Sequence, residues 1–317
     1  MNRRCFVSLT RGLIIAMNKT LIVAAAHDRH TLEAVFNAGG DFILLGDREK
    51  ILRISEEFGQ APPNIINTSD DVETARKAVS LVREINGGVL MKGLMETATL
   101  LSAVLDRENG IRQSKTLSHI AVLDVPKYHK KITITDGGMC PHPTFEQKAD
   151  ILRNAVEFYA GTFVKVAVLS ASEAVNPKLP ESMDAAELSK IKIENCIIEG
   201  PLSFDIAIDR EAAEIKDFNS RISGDADILL VPDITAGNIL CKGLIHWAGA
   251  KMAGAVLGAK VPIILVSRGA SAEEKLLSIK LCKDGKPWGR CPHRVTKYHE
   301  VNATTLSCLE INKCVVT

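Results

Sequence analysis

The residues with the clearest chemical potential lie where an apolar run ends, late in the chain. Residues 262–266 are continuously apolar, and Ser267 and Arg268 follow them directly. A buried strand that turns into a helix offers free backbone N–H groups and the positive end of the helix, which suits a phosphate. Arg268 adds a bidentate, charge-assisted contact. Ser271 and Glu274 have the spacing of a capping box, which is an equally good explanation of both residues.

A second strand–loop–helix junction follows the apolar run at residues 227–231. It carries Asp233, Asn238 and Lys242. Ligands of parallel sheets bind outside the carboxyl ends of strands, so these side chains are candidates for substrate contact. The alternative is a turn with Asn238 as a helix N-cap and Lys242 on a solvated surface.

A third junction follows residues 88–91. Gly93 can let a backbone approach a ligand closely, and Lys92 is a candidate for contact with an anion. Thr97 opens the next helical segment. A single lysine after a strand is also common as an ordinary surface residue.

Composition and missing motifs exclude several classes of function. The formal net charge is +1 and aromatic residues are 4% of the chain, so neither a nucleic-acid surface nor a base-stacking platform is indicated. The chain has no GxGxxG, no P-loop and no GxSxG motif. His142, between two prolines, is interpreted as structural or solvated. We therefore expect no nucleic-acid partner and no membrane partner.

Strand-like and helical segments alternate along the chain, which predicts the α/β class with a mostly parallel sheet. The predicted strands are residues 21–25, 42–45, 64–67, 88–91, 119–123, 132–135, 164–169, 227–231 and 262–266. Helical patterns include residues 72–85, 97–105, 145–159, 185–191, 210–217 and 237–256. Residues 200–205 are interpreted as a turn that enters a helix.

The two ends of the chain differ from the middle. Residues 1–17 resemble a secretory signal only weakly, because Arg11 interrupts the apolar stretch, and a start near Met17 is expected. Most of the eight cysteines are single and widely spaced, which is typical of a reduced, cytoplasmic protein. Residues 282–317 contain cysteines and histidines without the spacing of a zinc site, so we predict an atypical tail and no metal.

Taken together, these motifs resemble the phosphate acetyl/butyryltransferase family, and the butyryltransferase branch more than the acetyl branch. The resemblance runs from about Lys19 to Leu281. The features that carry it are Met91-Lys92-Gly93 with Thr97, Thr135-Asp136-Gly137-Gly138-Met139, Glu146-Gln147-Lys148-Ala149-Asp150, Val168-Leu169-Ser170-Ala171, Gly200-Pro201-Leu202 with Asp205, Gly224-Asp225-Ala226-Asp227-Ile228-Leu229, Gly237-Asn238-Ile239-Leu240 with Lys242, and Ser267-Arg268 with Ser271, Glu273 and Glu274.

The resemblance implies a three-layer α/β/α fold of two domains, like that of the isocitrate and isopropylmalate dehydrogenases. The first domain would comprise residues 1–114 and 255–317, and the second residues 115–254. The chain would leave the first domain near Lys115 and return near Gly254, with the active cleft between the domains.

The resemblance also implies the chemistry. The family's serine–arginine pair matches Ser267 and Arg268, and its catalytic carboxylate falls on Glu274. Coenzyme A thioester and inorganic phosphate would be substrates, with no bound cofactor. A homo-oligomer and an acyl kinase of the same pathway are the partners implied. Where the acetyl branch has a ligand-contacting arginine this chain has Ser102, and Lys92 is the candidate substitute.

Two alternatives remain open at this stage. One is a metal-dependent hydroxyacid dehydrogenase on the related fold, although the aspartates of the chain do not form a convincing metal set. The other is a non-catalytic relative that binds acyl-CoA. The residues do not determine the length of the acyl chain.

Overall fold

The computed structural model describes residues 19–85, 88–267 and 269–284. In that part of the chain the strands are β1 (Leu21–Ala24), β2 (Phe42–Gly46), β3 (Ile65–Asn67), β4 (Val89–Lys92), β5 (Ser118–Asp124), β6 (Ile132–Thr135), β7 (Val164–Leu169), β8 (Cys196–Leu202), β9 (Ile228–Leu230), β10 (Lys251–Leu257) and β11 (Ile263–Ile264). The helices are α1 (Arg29–Ala38), α2 (Arg48–Glu56), α3 (Asp71–Glu84), α4 (Thr97–Val104), α5 (Phe145–Phe158), α6 (Pro180–Leu188), α7 (Phe204–Ile208), α8 (Arg210–Ile215), α9 (Ile234–Ala248) and α10 (Ala272–Asp284).

All these strands join one 11-stranded sheet in the order β3-β2-β1-β4-β11-β10-β5-β6-β9-β7-β8. Helices cover both faces. One apolar cluster packs α1, α2, α5, α6 and α10 against the sheet, and two others pack α3 and α4, and α7, α8 and α9, against the opposite face. Because both faces are covered, the strands are continuous apolar runs. The predicted three-layer α/β class is confirmed.

Two strands at the middle of the sheet reverse its direction. Strand β10 is antiparallel to β11 and β5, and β5 is also antiparallel to β6, whereas the pairs on either side are parallel. As a result, β1, β2, β4 and β11 end at one edge of the sheet, here called the Ser267 edge. Strands β6, β7, β8 and β9 end at the opposite edge, here called the Asp233 edge.

The sequence interpretation was wrong for residues 237–256, which were predicted as one helical segment. Helix α9 ends at Ala248, Gly249 follows with φ of 66°, and β10 begins at Lys251. A left-handed glycine is the usual end of a helix, because it has no Cβ to clash with the backbone. Small apolar residues in β10 hid the change from helix to strand.

The segment at residues 200–205 also differs from the expected turn. Gly200, Pro201 and Leu202 are the last residues of β8, and α7 begins at Phe204. Strand β8 is at the end of the sheet order, where a proline removes no ladder hydrogen bond that a further strand would need.

Candidate functional site

The turn after β11 connects directly to α10. Ser267 is exposed, and its Oγ accepts a hydrogen bond from the Gly269 backbone N–H at 3.4 Å. The Ala270 N–H donates to the Ser267 carbonyl at 3.0 Å. Since a hydroxyl that accepts one bond keeps its own hydrogen, Ser267 retains a donor at the Ser267 edge. Arg268, predicted as its partner, lies outside the described residues.

Ser271 caps α10, as one of the two sequence interpretations predicted. The Glu274 backbone N–H donates to the Ser271 Oγ at 3.2 Å. In a complete capping box the Glu274 carboxylate would accept the Ser271 N–H in return. Among the described residues that reciprocal bond is not formed, so the carboxylate of Glu274 is not used by the cap.

Glu273 and Glu274 are neighbours with different environments. Glu273 is exposed and forms an ion pair with Lys251, at the start of β10. Glu274 is partly buried, and burial raises the pKa of its carboxyl above the ordinary value of 4.5, although the charge of Lys275 opposes the shift. A carboxylate with a raised pKa is a better proton acceptor, which is the property required of a general base.

A buried ion pair fixes the start of α10 against α1. Lys275 is only 5% exposed, and its Nζ donates to Asp28 at 3.1 Å and to Thr31 at 3.0 Å. Asp28 also caps α1, since its side chain accepts the Thr31 backbone N–H at 2.9 Å. Burial would raise the pKa of Asp28, but these hydrogen bonds and Lys275 hold it below its usual value. The first turn of α10, which carries Glu274, is therefore held in a defined position against α1.

Lys92 and Gly93 are at the same edge, at the end of β4. Lys92 is 4% exposed, and its Nζ donates to the backbone carbonyls of Gly93 at 3.2 Å and Met95 at 3.0 Å. The close approach predicted for Gly93 is made to the protein itself, because an added Cβ would lie 2.1 Å from the Ala25 carbonyl oxygen. Both residues shape the edge from within, and their contact with a ligand stays a prediction.

Thr97 and Ser102 lie on α4, the helix that follows this turn. Both are exposed, and Thr97 is the first residue of the helix. Helix α4 packs on the face of the sheet opposite to α10. Thr97 follows the end of β4, at the Ser267 edge, by five residues, whereas Ser102 lies further along the helix.

Asp233, Asn238 and Lys242 begin from the Asp233 edge and not from the Ser267 edge. Asp233 is the N-cap of α9, where its side chain accepts the Ala236 N–H at 2.9 Å. Asn238, predicted as an alternative N-cap, lies inside the helix and donates to the Gly137 carbonyl at 3.4 Å. Lys242 is exposed in the middle of α9. The structure does not bring these three residues to the strand ends that carry Ser267 and Lys92.

The aspartates before β9 are neutralised by lysines. Asp225 contacts the Nζ atoms of Lys130 and Lys165, both at 2.7 Å, and Asp227 contacts Lys130 at 2.7 Å. Burial would raise the pKa of Asp225, yet the bonds from Lys130, Lys165 and His129 lower it. In residues 19–85, 88–267 and 269–284, no group of three or more His, Cys, Asp or Glu is placed to hold a metal ion.

A cavity of about 880 Å³ lies beside this charge network. Its lining includes Lys127, Tyr128, Arg210 and Asp225, and none of the predicted site residues lines it.

The helices in the described part of the chain include none that is long and apolar enough to cross a membrane.

The sequence interpretation missed His27, which follows the end of β1 at the Ser267 edge. Its Nδ1 atom is buried and has no hydrogen-bond partner in the described chain. The signal was present, since residues 21–26 are continuously apolar and a histidine and an aspartate then follow. No sequence motif includes His27, because the strand ends that share its edge of the sheet, those of β4 and β11, are distant in sequence.

Comparison with known proteins gives the family. The family model described as phosphate acetyl/butaryl transferase matches residues 49–282. The chain belongs to this family. It is 40% identical over 278 residues to a probable phosphate butyryltransferase of Bacillus subtilis, covering 84% of this chain and 93% of that protein. It is 40% identical over 288 residues to a phosphate acetyltransferase of Thermotoga maritima, covering 87% and 96%.

A solved structure agrees with this assignment. The branched-chain phosphotransacylase of Enterococcus faecalis has a TM-score of 0.74 and 31% identity, covering 84% of this chain and 98% of that one. The phosphotransacetylase EutD of Staphylococcus aureus has a TM-score of 0.69 at 20% identity and shares the fold. As a member of the phosphate acetyl/butyryltransferase family, the chain is an acyltransferase that acts between coenzyme A and phosphate.

Proposed function

We propose that the chain transfers a short acyl group, butyryl or acetyl, reversibly between coenzyme A and inorganic phosphate at the Ser267 edge. The observation that carries the site is Glu274. It is a partly buried carboxylate with a raised pKa, on the first turn of a helix that follows a strand end. Its neighbour Glu273 is used in a surface ion pair with Lys251, whereas Glu274 forms no ion pair with the described residues.

The proposed mechanism assigns one task to each group. When acyl phosphate is consumed, Glu274 takes the thiol proton of coenzyme A, because a thiolate is a far better nucleophile than a thiol. The sulfur attacks the acyl carbonyl, Ser267 donates a hydrogen bond to the developing oxyanion, and the carbon–oxygen bond to phosphate breaks. Arg268 would neutralise the departing phosphate. The proton then passes from Glu274 to the departing phosphate or to solvent, which restores the carboxylate. In the reverse direction protonated Glu274 gives a proton to the sulfur as the carbon–sulfur bond breaks.

No covalent acyl-enzyme is needed in this mechanism. Holding both substrates at one edge of the sheet supplies the effective concentration. We propose Lys92, Gly93, Thr97 and Ser271 as the further substrate-binding group, since they begin from the same strand ends. Contact with Asp233, Asn238 or Lys242 would require the substrate to extend to α9.

We also propose that the chain forms a homo-oligomer through α9. Trp247 is 94% exposed and Ile239 67% exposed on this helix. Gly243 lies between them at intervals of four residues, and nothing lies within 4 Å of the position of its missing Cβ. Two copies related by a two-fold axis at Gly243 would each pack Ile239 against the partner's Trp247.

Helix α9 alone is too small to form a stable interface. A buried aromatic side chain removes about 150–250 Å² from water, whereas a stable interface buries about 1,200–2,000 Å² in total. Helix α9 would therefore be the centre of the interface and adjoining surface would complete it.

Cys140, Cys196, Cys241 and Cys282 are free thiols, which supports a reduced compartment such as the cytoplasm. An acyl kinase of the same pathway would use the acyl phosphate.

A coupled assay of thiol release tests the proposed function. Purified protein should release free thiol from butyryl-CoA or acetyl-CoA only when phosphate is present, and a chelator should not prevent it. Release without phosphate would identify a thioesterase. No release from any short acyl-CoA would favour the non-catalytic acyl-CoA-binding alternative. Initial rates with the two acyl groups would give the chain-length preference.

A further inference from the structure

The histidine after β1 occupies a place that the proposed mechanism does not use. Strands β1, β4 and β11 are neighbours, with Ala24 paired to Lys92, and Met91 paired to Ile264. His27 and Ser267 each come three residues after the end of their strand. Adjacent strands are about 4.8 Å apart, so these residues begin from strand ends about 10 Å apart.

The ion pair between Asp28 and Lys275 connects the two segments that carry His27 and Glu274. His27 immediately precedes Asp28, Glu274 immediately precedes Lys275, and Asp28 and Lys275 are in contact at 3.1 Å. The backbone positions of His27 and Glu274 are thereby tied to the two sides of one buried contact. The sequence separation of 247 residues between Asp28 and Lys275 explains why this was not visible in the sequence.

Within the described part of the chain, the ring of His27 is held by packing, and its Nδ1 makes no hydrogen bond. Gly46 has a φ of +141°, and a Cβ added to it would lie 2.8 Å from the His27 Nδ1. The absence of a side chain at Gly46 therefore makes room for the ring. A buried polar atom without a partner destabilises a fold, and such atoms are rare in native proteins. A hydrogen bond from the other ring nitrogen, Nε2, would offset this cost.

The two ring nitrogens have different surroundings. Nδ1 is buried without a partner, whereas the residue as a whole is only partly buried and Nε2 is not among the buried, unpartnered atoms of the described chain. A hydrogen on Nδ1 would be a buried donor without an acceptor. The tautomer with its hydrogen on Nε2 avoids this and presents an N–H donor at the Ser267 edge.

We propose that His27 is a substrate-binding residue that donates a hydrogen bond from Nε2–H to an anionic oxygen of the bound phosphate. The inference rests on the proposed function for its location, because it requires phosphate at the Ser267 edge. It adds an N–H donor that follows β1 to a site otherwise formed by β4, β11 and α10. Binding of phosphate, and not the chemical step, is what His27 contributes.

Two variants of matched shape test the donor. His27→Gln and His27→Met have nearly the same length and volume, but only glutamine has an N–H near the position of Nε2. We expect His27→Met to raise the KM for phosphate by about 10–100-fold with little change of kcat, and His27→Gln to raise this KM much less, because its amide restores an N–H donor. Equal phosphate KM values for the two variants, or a parent-like value for His27→Met, would overturn the proposal.

A measurement on the unmodified protein covers the case in which the variants do not fold. In a side-chain 15N spectrum, added inorganic phosphate should shift the Nε2 signal of a histidine in the Nε2–H tautomer. The absence of any such response at saturating phosphate would refute the role of His27. This titration needs no catalysis, so a failure of the thiol-release assay and a failure of this inference are separate results.

Discussion

Glu274 is the residue on which the proposed chemistry depends most. It is partly buried, it carries no hydrogen bond from the cap at Ser271, and burial raises its pKa. Adjacent Glu273 has the same functional group but is exposed and paired with Lys251. The chain thus supplies a matched control for the base at the next position.

Replacing Glu274 by glutamine should lower turnover by about 10²–10⁴-fold, because the amide keeps the length but cannot accept the thiol proton. Glu273→Gln should stay within a few-fold of the parent, since a surface ion pair contributes little. Steady-state kinetics of both variants with acyl phosphate and coenzyme A give the comparison. Similar activity of the two variants would place the base elsewhere.

The same residue predicts a pH dependence. A general base must be ionised, and the folded-state pKa of Glu274 is raised above 4.5. Turnover toward acyl-CoA should therefore fall as the pH decreases through this raised pKa, at a higher pH than for an ordinary glutamate. A pH–rate profile measures it, and Glu274→Gln should lack this limb. If the variant keeps the same limb, another group is responsible.

The raised pKa of Glu274 also affects stability. The ionised carboxylate is required for turnover but lowers the stability of the folded state. A raised pKa means that the folded state holds the proton more tightly than the unfolded state, so ionisation weakens folding as the pH rises from 4.5 through the folded-state pKa. At neutral pH the glutamine variant should melt at the parent temperature or slightly above it. A large loss of activity with unchanged melting separates a catalytic role from a structural one.

Among the helices, the contact between α1 and α10 positions the first turn of α10, which carries Glu274. Helix α10 packs on α1 and on β10, and the Ser278 Oγ accepts the Gly254 N–H of β10 at 3.0 Å. Lys275 adds the buried bonds to Asp28 and Thr31. These contacts connect the start of the described chain with its end.

Lys275→Met should lower the free energy of unfolding by about 3 kcal/mol, because it leaves Asp28 as a partly buried carboxylate without its cation. Lys280→Met on the same helix is the control, since Lys280 is exposed and should change stability by less than about 0.5 kcal/mol. Urea denaturation with an unchanged m-value measures both. Equal midpoints for the two variants would show that the buried pair contributes nothing.

The proposed homo-oligomer rests on Trp247 and Ile239, two exposed apolar side chains of α9. Trp247→Ser should shift the protein toward a smaller species in size-exclusion chromatography with light scattering. Ile215 on α8, which is 78% exposed, provides the control variant Ile215→Ser. The interface is misplaced if both variants keep the mass of the parent. A parent protein that is itself a monomer would refute the homo-oligomer.

The division into two domains stays a prediction. The 11-stranded sheet is continuous across the expected boundaries, and Gly254, near the expected return, lies within β10. Strand β5 begins at Ser118, just after Lys115. Limited proteolysis near Lys115 would test whether the two halves separate.

The amino-acid sequence was sufficient to predict the class of the fold and the residues of the turn after β11. Continuous apolar runs alternating with helical periodicity require a sheet covered on both faces, and that pattern is local. It also determined the alternatives at Ser271 and Glu274, because a capping box and a catalytic carboxylate use the same residue types. The family resemblance depended on the same local motifs, and the comparisons confirm it.

Which strand ends meet could be seen only in the three-dimensional structure. The antiparallel strands β10 and β5 send the carboxyl ends of the two halves to opposite edges, which separates Asp233 from Ser267. It also showed the partial burial of Glu274 and the contact of Lys275 with Asp28. Strand direction and the burial of polar side chains arise from pairings between residues distant in sequence, so neither could be assigned to Asp233 or Glu274 from the local sequence.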